Sequence, residues 1–432
     1  MKSVMAASLS ARAVRITFLL FSGFLFSIFS LQGASLAQQQ FEVPPVLSAK
    51  SLLPADMVSG PLFRVDDQVP TDGLRGLFTL RSALGTFTVP GRELLKIRIA
   101  ELPAIQHLET QSKTDVFLKA AGNAAMRPVE AAENIVADPV GTAKSIPGGV
   151  SRLWGRVEAG ASNVAKAVTD SDKSADQKAQ ETAQRVGDVT ITALGFEQVH
   201  RQLAKSLGVD PYTTNAVLSK KLTDTAWVAF SGRLGIDVLT TAFVPGSTAI
   251  SLTSFTSDLV WDTPKADLIV MNKEKMIAMG ASEAQAQALL GNRWFSLTVL
   301  TALVTELESL AQIAGRSEVI ALAATARNEE DARFLASSVH LLARLNVTGV
   351  SIRGVKAGGT VIGITPAGHL VVPAPADYVS WTDRIGSFAE RADLKTAPRA
   401  IWLTGRMSGA AHKGFTRLGW TVQEAPKPQA AR

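Results

Sequence analysis

The sequence predicts an α+β protein, predominantly α-helical, with a small N-terminal β-meander, a central helical body and a compact C-terminal α+β module. Three observations carry that expectation. Short apolar runs split by Asp-Gly and Gly turns lie between residues 61 and 90. Apolar residues then recur at helical spacing through most of residues 187–346. From residue 347 the pattern changes to brief strands alternating with two helices.

The chain has 432 residues, 46% hydrophobic and 19% charged, enough apolar material for an extensive core. Residues 1–37 read as a signal peptide: Lys2, Arg12 and Arg15 precede an apolar stretch from Ile16 to Leu31, and Ser35 and Ala37 offer small side chains for cleavage. The alternative is an uncleaved membrane anchor, because the apolar stretch is long for a cleaved segment. Gln38 would open the mature chain, and residues 38–60, with Pro44, Pro45 and Pro54, read as an extended leader.

In residues 61–168 a β-meander gives way to helices. Leu62–Val65, Leu77–Leu80 and Thr86–Val89 are the expected strands, with turns at Asp72-Gly73 and Ala83–Gly85. Leu94, Leu95, Ile97, Leu102, Ile105 and Leu108 mark a helix interrupted or kinked near Pro103. Residues 126–168 form an amphipathic Gly/Ala-rich segment, in which Arg152, Trp154 and Arg156 are the candidate contact to a membrane surface or envelope protein partner: the indole suits a headgroup boundary and the cations suit phosphate. Ordinary packing against the rest of the chain is the competing reading, since Pro147, Gly148 and Gly149 break any long helix there.

Residues 169–186 are charged and Ala-rich, the signature of a linker. In the helical domain, 187–346, Gly208 ends one helix, Asp210-Pro211 turns the chain, Ser282 with Gln285 forms a capping box, and Ser296 or Thr298 opens a further helix. Glu329, Glu330 and Asp331 complement a helix dipole. The apolar run 234–255 is interrupted by Asp237, Pro245 and Gly246, which favours a buried hairpin over a membrane span. In the module 347–424 the expected strands are Val350–Val355, Val361–Ile364, Leu370–Val372, Ala400–Leu403 and Trp420–Val422, with helices over 376–392 and 408–418. Residues 425–432 read as a disordered tail.

The chemistry offered by the sequence is sparse. Without cysteine there is no disulfide, thiolate nucleophile, thiolate metal site or lipid-bearing cysteine. The five histidines show no metal-ligand spacing, so no metal site is expected, and no glycine-rich nucleotide fingerprint or G-x-S-x-G elbow is present, so no cofactor is expected. Three of the six net positive charges belong to residues 1–37, leaving too small a surplus for nucleic-acid binding.

One local arrangement stands out: a strand leading through Gly405 and Arg406 to a helix opened by Ser408 and carrying His412 and Lys413. Free amides at such a start attract anions, so Gly405, Arg406, Ser408 and Lys413 form an anion-binding candidate, against the plainer reading that Ser408 merely caps the helix. His369, Asp377 and His412 are the catalytic candidates if the protein is an enzyme, with a site where the helical body meets the last module. Two functions follow: an exported, periplasmic or secreted, non-enzymatic bacterial envelope protein, peripherally membrane-associated if residues 126–168 engage lipid; or an exported hydrolase without a recognisable motif.

Overall fold

The computed structural model describes residues 41–124, 194–232, 234–241, 243 and 254–424. Residues 1–37, all of 126–186 including Arg152, Trp154 and Arg156, and the tail 425–432 lie outside the described residues. Helices and sheets are mixed, as an α+β composition requires.

The leader expectation for residues 38–60 is corrected over its described part. From Val46 the chain forms β1 (Val46–Ser48), α1 (Ala49–Leu52), α2 (Ala55–Val58) and β2 (Ser59–Gly60). The prolines do not prevent this, because they sit where φ near −65° and a missing N–H cost nothing: Pro44 and Pro45 precede β1, and Pro54 occupies the N-cap of α2. Ala49, Leu52, Leu53 and Met57 are buried and anchor the segment. β1 pairs antiparallel with β4 (Gln68–Pro70). An antiparallel sheet in the order β2, β3 (Phe63–Val65), β5 (Leu77–Ser82), β6 (Gly85–Pro90) completes the N-terminal region. Phe78 and Leu80, alternate residues of β5, are fully buried, as a half-buried strand dictates.

Helix α3 (Arg92–Gln111) carries Pro103 within it and buries Leu95, Leu102, Ile105 and Leu108 against the same core. α4 (Asp115–Ala124) follows, then α5 (residues 194–206), terminated at Gly208 with φ 63°, and α6 (Ala216–Gly232). Within 234–255 the described part includes only the short α7 (Ile236–Leu239) and the start of α8 (Ser254–Asp262). Among the described residues no helix is long and apolar enough to cross a membrane. The helices α9 (Lys265–Ala278), α10 (Glu283–Leu290), α11 (Leu297–Ser309), α12 (Arg316–Ala323) and α13 (Glu329–Val347) follow. α10 has the Ser282/Gln285 capping box, α11 is capped by Ser296, and the three acids at 329–331 occupy the first turn of α13 behind the Asn328 cap.

A buried polar joint ties α3 to this helical part. Glu101 accepts hydrogen bonds from the Arg98 guanidinium at 3.1 Å, from Asn215 Nδ2 at 2.7 Å and from the Thr213 hydroxyl. Thr214 continues the chain of contacts, accepting from Arg98 and donating to Glu329, which Arg333 holds at 2.6 Å. A carboxyl group this deep needs its hydrogen bonds met, and here three donor groups, from Arg98, Thr213 and Asn215, converge on it.

The last module is a five-stranded sheet in the order β13 (Trp420–Glu424), β11 (Arg399–Leu403), β9 (Leu370–Ala374), β8 (Val361–Ile364), β7 (Gly354–Ala357). β9, β11 and β13 are parallel, while β8 and β7 run antiparallel. Alternate residues feed two cores: Val361 and Val371 join the helices α9–α13, whereas Ile362, Leu370 and Val372 face α14 (Asp383–Glu390) and α15 (Gly409–Arg417). One hydrophobic core therefore runs through the boundary expected near residue 346. The helix expected over 376–392 begins only at Asp383. Residues 375–381 are extended because β10 (Tyr378–Val379) pairs in parallel with β12 (Arg406–Met407), and Thr382 caps the helix.

Candidate functional site

Parallel strands joined through helices leave a crevice beyond their carboxyl ends, where amides and helix starts converge. Here that edge is formed by Pro375–Thr382 after β9 and Thr404–Ser408 after β11. Arg406 N–H donates to the Asp377 carbonyl at 3.0 Å, and Ser408 N–H to the Val379 carbonyl at 2.9 Å. Gly405 is required by this approach: a Cβ there would run into the Ala376 and Asp377 carbonyl oxygens.

Asp377 is buried at this edge. Its Oδ2 accepts from the Gly76 amide at 2.9 Å, and both oxygens accept from the Arg92 amide at 3.1 and 3.2 Å. Arg92 opens α3, and the preceding residue, Gly91, has no side chain with which to cap it. Asp377 thus caps α3 from 285 residues away in sequence. Burial pushes its carboxyl above the ordinary range, against the lowering effect of the Gly76 amide and of Arg92. Its own amide donates to the Leu74 carbonyl at 2.8 Å, and Ser380 N–H to Gly73 at 3.0 Å, so the turn at 72–76 is fastened to the module by backbone as well.

A second carboxylate reaches the same edge. Glu42 Oε2 accepts from the Trp381 amide at 2.6 Å and from the Ser408 hydroxyl, while Glu42 N–H donates to the Trp381 carbonyl at 2.8 Å. Ser408 also accepts from Ala411 N–H at 2.9 Å, as the cap of α15.

A small cavity of about 70 Å³ lies between the start of α3, α13 and Pro375–Asp377. Arg75, Arg92 and Arg333 line it opposite Glu93, Glu330 and Asp377. It is far below the roughly 300–1,000 Å³ of a drug-sized ligand site. All three guanidiniums already have partners: Arg75 pairs with Asp72, Arg333 with Glu329, and Arg92, more loosely, with Glu93 and the Thr404 carbonyl. Its guanidiniums suit small anionic groups, and both Asp377 oxygens are engaged by backbone amides.

The structure does not bring the three catalytic candidates together, which corrects the arrangement expected for them. His369 is exposed just before β9 and Asp377 is buried beyond its other end, so the five-residue strand Leu370–Ala374 separates them. His412 is exposed on α15. Asp377 does lie at the expected junction of the helical part and the last module, but as a cap. Of the anion-binding candidates, Ser408 holds a carboxylate, that of Glu42, and Gly405 shapes the turn. Arg406 and Lys413 are exposed. Among the described residues no group of three or more His, Asp or Glu side chains is placed to hold a metal ion.

Sequence reasoning missed Glu42, Trp381 and Arg92. A helix opening at Gly91-Arg92 without a capping side chain was the one available sign that a cap must come from elsewhere. No family model matches this chain, and no curated protein or solved structure matches it.

Proposed function

We propose that this chain is an exported, non-enzymatic bacterial envelope protein that works by contact, periplasmic or secreted after cleavage at Ala37, with residues 126–168 meeting a membrane surface or a protein partner. The observation that carries the reading is the state of the crevice. The edge where an α/β module ordinarily takes its ligand is fastened by the chain's own Glu42 and by the turn at 72–76, through Asp377. Support for export comes from the basic, apolar and small-residue succession of residues 1–37. We further read the chain as a β-meander, a helical body and an α+β module, in keeping with the order of the sheets and helices. The competing hydrolase draws its support from the cavity beside Asp377.

Cell fractionation with mass determination of the mature amino terminus tests export. The expected outcome is a chain beginning at Gln38, released from membranes by alkali if it is peripheral. A cytoplasmic, unprocessed chain overturns the proposal. Flotation with vesicles containing anionic lipid tests the contact. Replacing Arg152, Trp154 and Arg156 together by Ala removes two cations, each contributing about 1 kcal/mol near an anionic surface, and should lower vesicle binding by about tenfold or more. Unchanged binding excludes membrane contact through this segment.

A further inference from the structure

Glu42 and the surface it rests on are held very differently, and the difference suggests an exchangeable occupant. The receiving surface is closely packed. Trp381 is 2% exposed and packs edge-on to Phe415, with ring centres 5.4 Å apart. Gly414 makes room for that ring, since a Cβ there would lie 2.5 Å from it. Ser408 is 6% exposed and is pinned through its own amide to the Val379 carbonyl. The segment seated on this surface is slight by comparison. Val43 is 88% exposed and buries almost nothing, and Phe41, though partly covered, is still 40% exposed. Its hold on the module is polar and gathered in Glu42: one backbone hydrogen bond to the Trp381 carbonyl and one carboxylate shared by an amide and a hydroxyl. Behind it, Pro44 and Pro45 fix an extended hinge, and the Pro45 carbonyl is held by Thr71 at 2.8 Å.

We propose that the Trp381–Ser408 surface is a docking site for an extended peptide carrying a glutamate, with residues 41–43 as its resident, displaceable occupant. The single backbone hydrogen bond from Glu42 N–H to the Trp381 carbonyl sets where the peptide lies. The carboxylate supplies selectivity, because an amide and a hydroxyl converging on one oxygen favour the ionised acceptor over an uncharged one. A segment held by a few hydrogen bonds opens at a lower free-energy cost than the packed core, which gives a competing peptide access. The inference does not depend on the export reading.

The test uses the full chain and a fluorescein-labelled peptide of residues 38–45, Gln-Gln-Gln-Phe-Glu-Val-Pro-Pro, followed by fluorescence anisotropy up to millimolar protein. Glu42→Ala weakens the resident segment, so this variant should bind the peptide about tenfold tighter than the parent. Replacing Glu by Gln in the peptide, or adding Ser408→Ala to the protein, should reverse most of that gain. Equal binding by parent and Glu42→Ala, or none by either, overturns the proposal when the variant keeps its cooperative thermal transition. Should Glu42→Ala not fold, Glu42→Gln keeps the side-chain shape, and a gain over the parent is again required.

Discussion

Replacing Asp377 by Ala probes the connection between the two ends of the chain. The Gly76 amide is buried and would lose its acceptor, which costs about 1–3 kcal/mol for a stranded donor. The Arg92 amide is partly buried and sits at a helix start, where losing a cap costs about 1 kcal/mol and losing a negative charge about 0.5 kcal/mol more. Relief of the carboxylate's desolvation offsets part of this, since burial raises its pKa. The expected loss is therefore about 2–4 kcal/mol, or roughly 1 M in urea midpoint for a slope of 2–3 kcal/mol per molar. Asp377→Asn retains one acceptor and carries no charge, so it should lose less than half as much at pH 7. Because the raised pKa makes the parent relatively more stable below the carboxylate range, the gap between parent and Asn should widen as pH falls. Urea unfolding followed by both tryptophan fluorescence and far-UV circular dichroism gives the numbers. An Ala variant within about 0.5 kcal/mol of the parent would falsify the assignment of Asp377 as a clamp, as would an Asn variant no better than Ala.

Two buried groups oppose one another in acid. Burial lowers His200 to about 4, with Arg201 and Lys265 acting in the same direction, so the unfolded chain takes a proton first and stability is lost as pH falls from 6.5 to about 4. Burial raises Asp210 to about 6, against Thr298 and the Tyr212 amide, so stability is lost as pH rises from 3.8 to about 6. Each amounts to about 3 kcal/mol, and they largely cancel in the parent. His200→Phe should therefore become more stable toward pH 4 and Asp210→Asn less stable, by thermal melts across that range; parallel curves for both variants exclude the scheme. Glu101→Ala leaves Arg98, Thr213 and Asn215 without their acceptor and should cost about 3–5 kcal/mol, whereas Arg98→Met with Glu101→Leu should cost far less than the two single changes together. Additive losses in that cycle would mean no coupling. Gly414→Ala presses a methyl on the Trp381 ring and should cost about 1–3 kcal/mol in chemical denaturation, with blunted near-UV dichroism; an unperturbed Trp signal contradicts the packing.

What the sequence determined by itself was local. The strands of the meander, the helical period on either side of Pro103, the Ser282/Gln285 box, the Ser296 cap and the alternation of strands and helices after residue 347 all follow from contacts within a few residues, although the sequence suggests a break at Pro103 where the helix is continuous. Period and capping express such contacts directly. Tertiary structure decided the rest. Residues 41–60 read as a tether because their prolines dominate the local pattern, yet Ala49, Leu52, Leu53 and Met57 find a core supplied by distant strands and by α3. Residues 376–382 read as helix, yet the carbonyls of Asp377 and Val379 are taken by Arg406 and Ser408, which holds the backbone extended. Asp377 and Glu42 look like ordinary acids in their own neighbourhoods. Their partners lie 285–301 residues away for Asp377 and 339–366 for Glu42, and no periodicity encodes a partner at such distances. Only folding brings those amides within reach of a carboxylate.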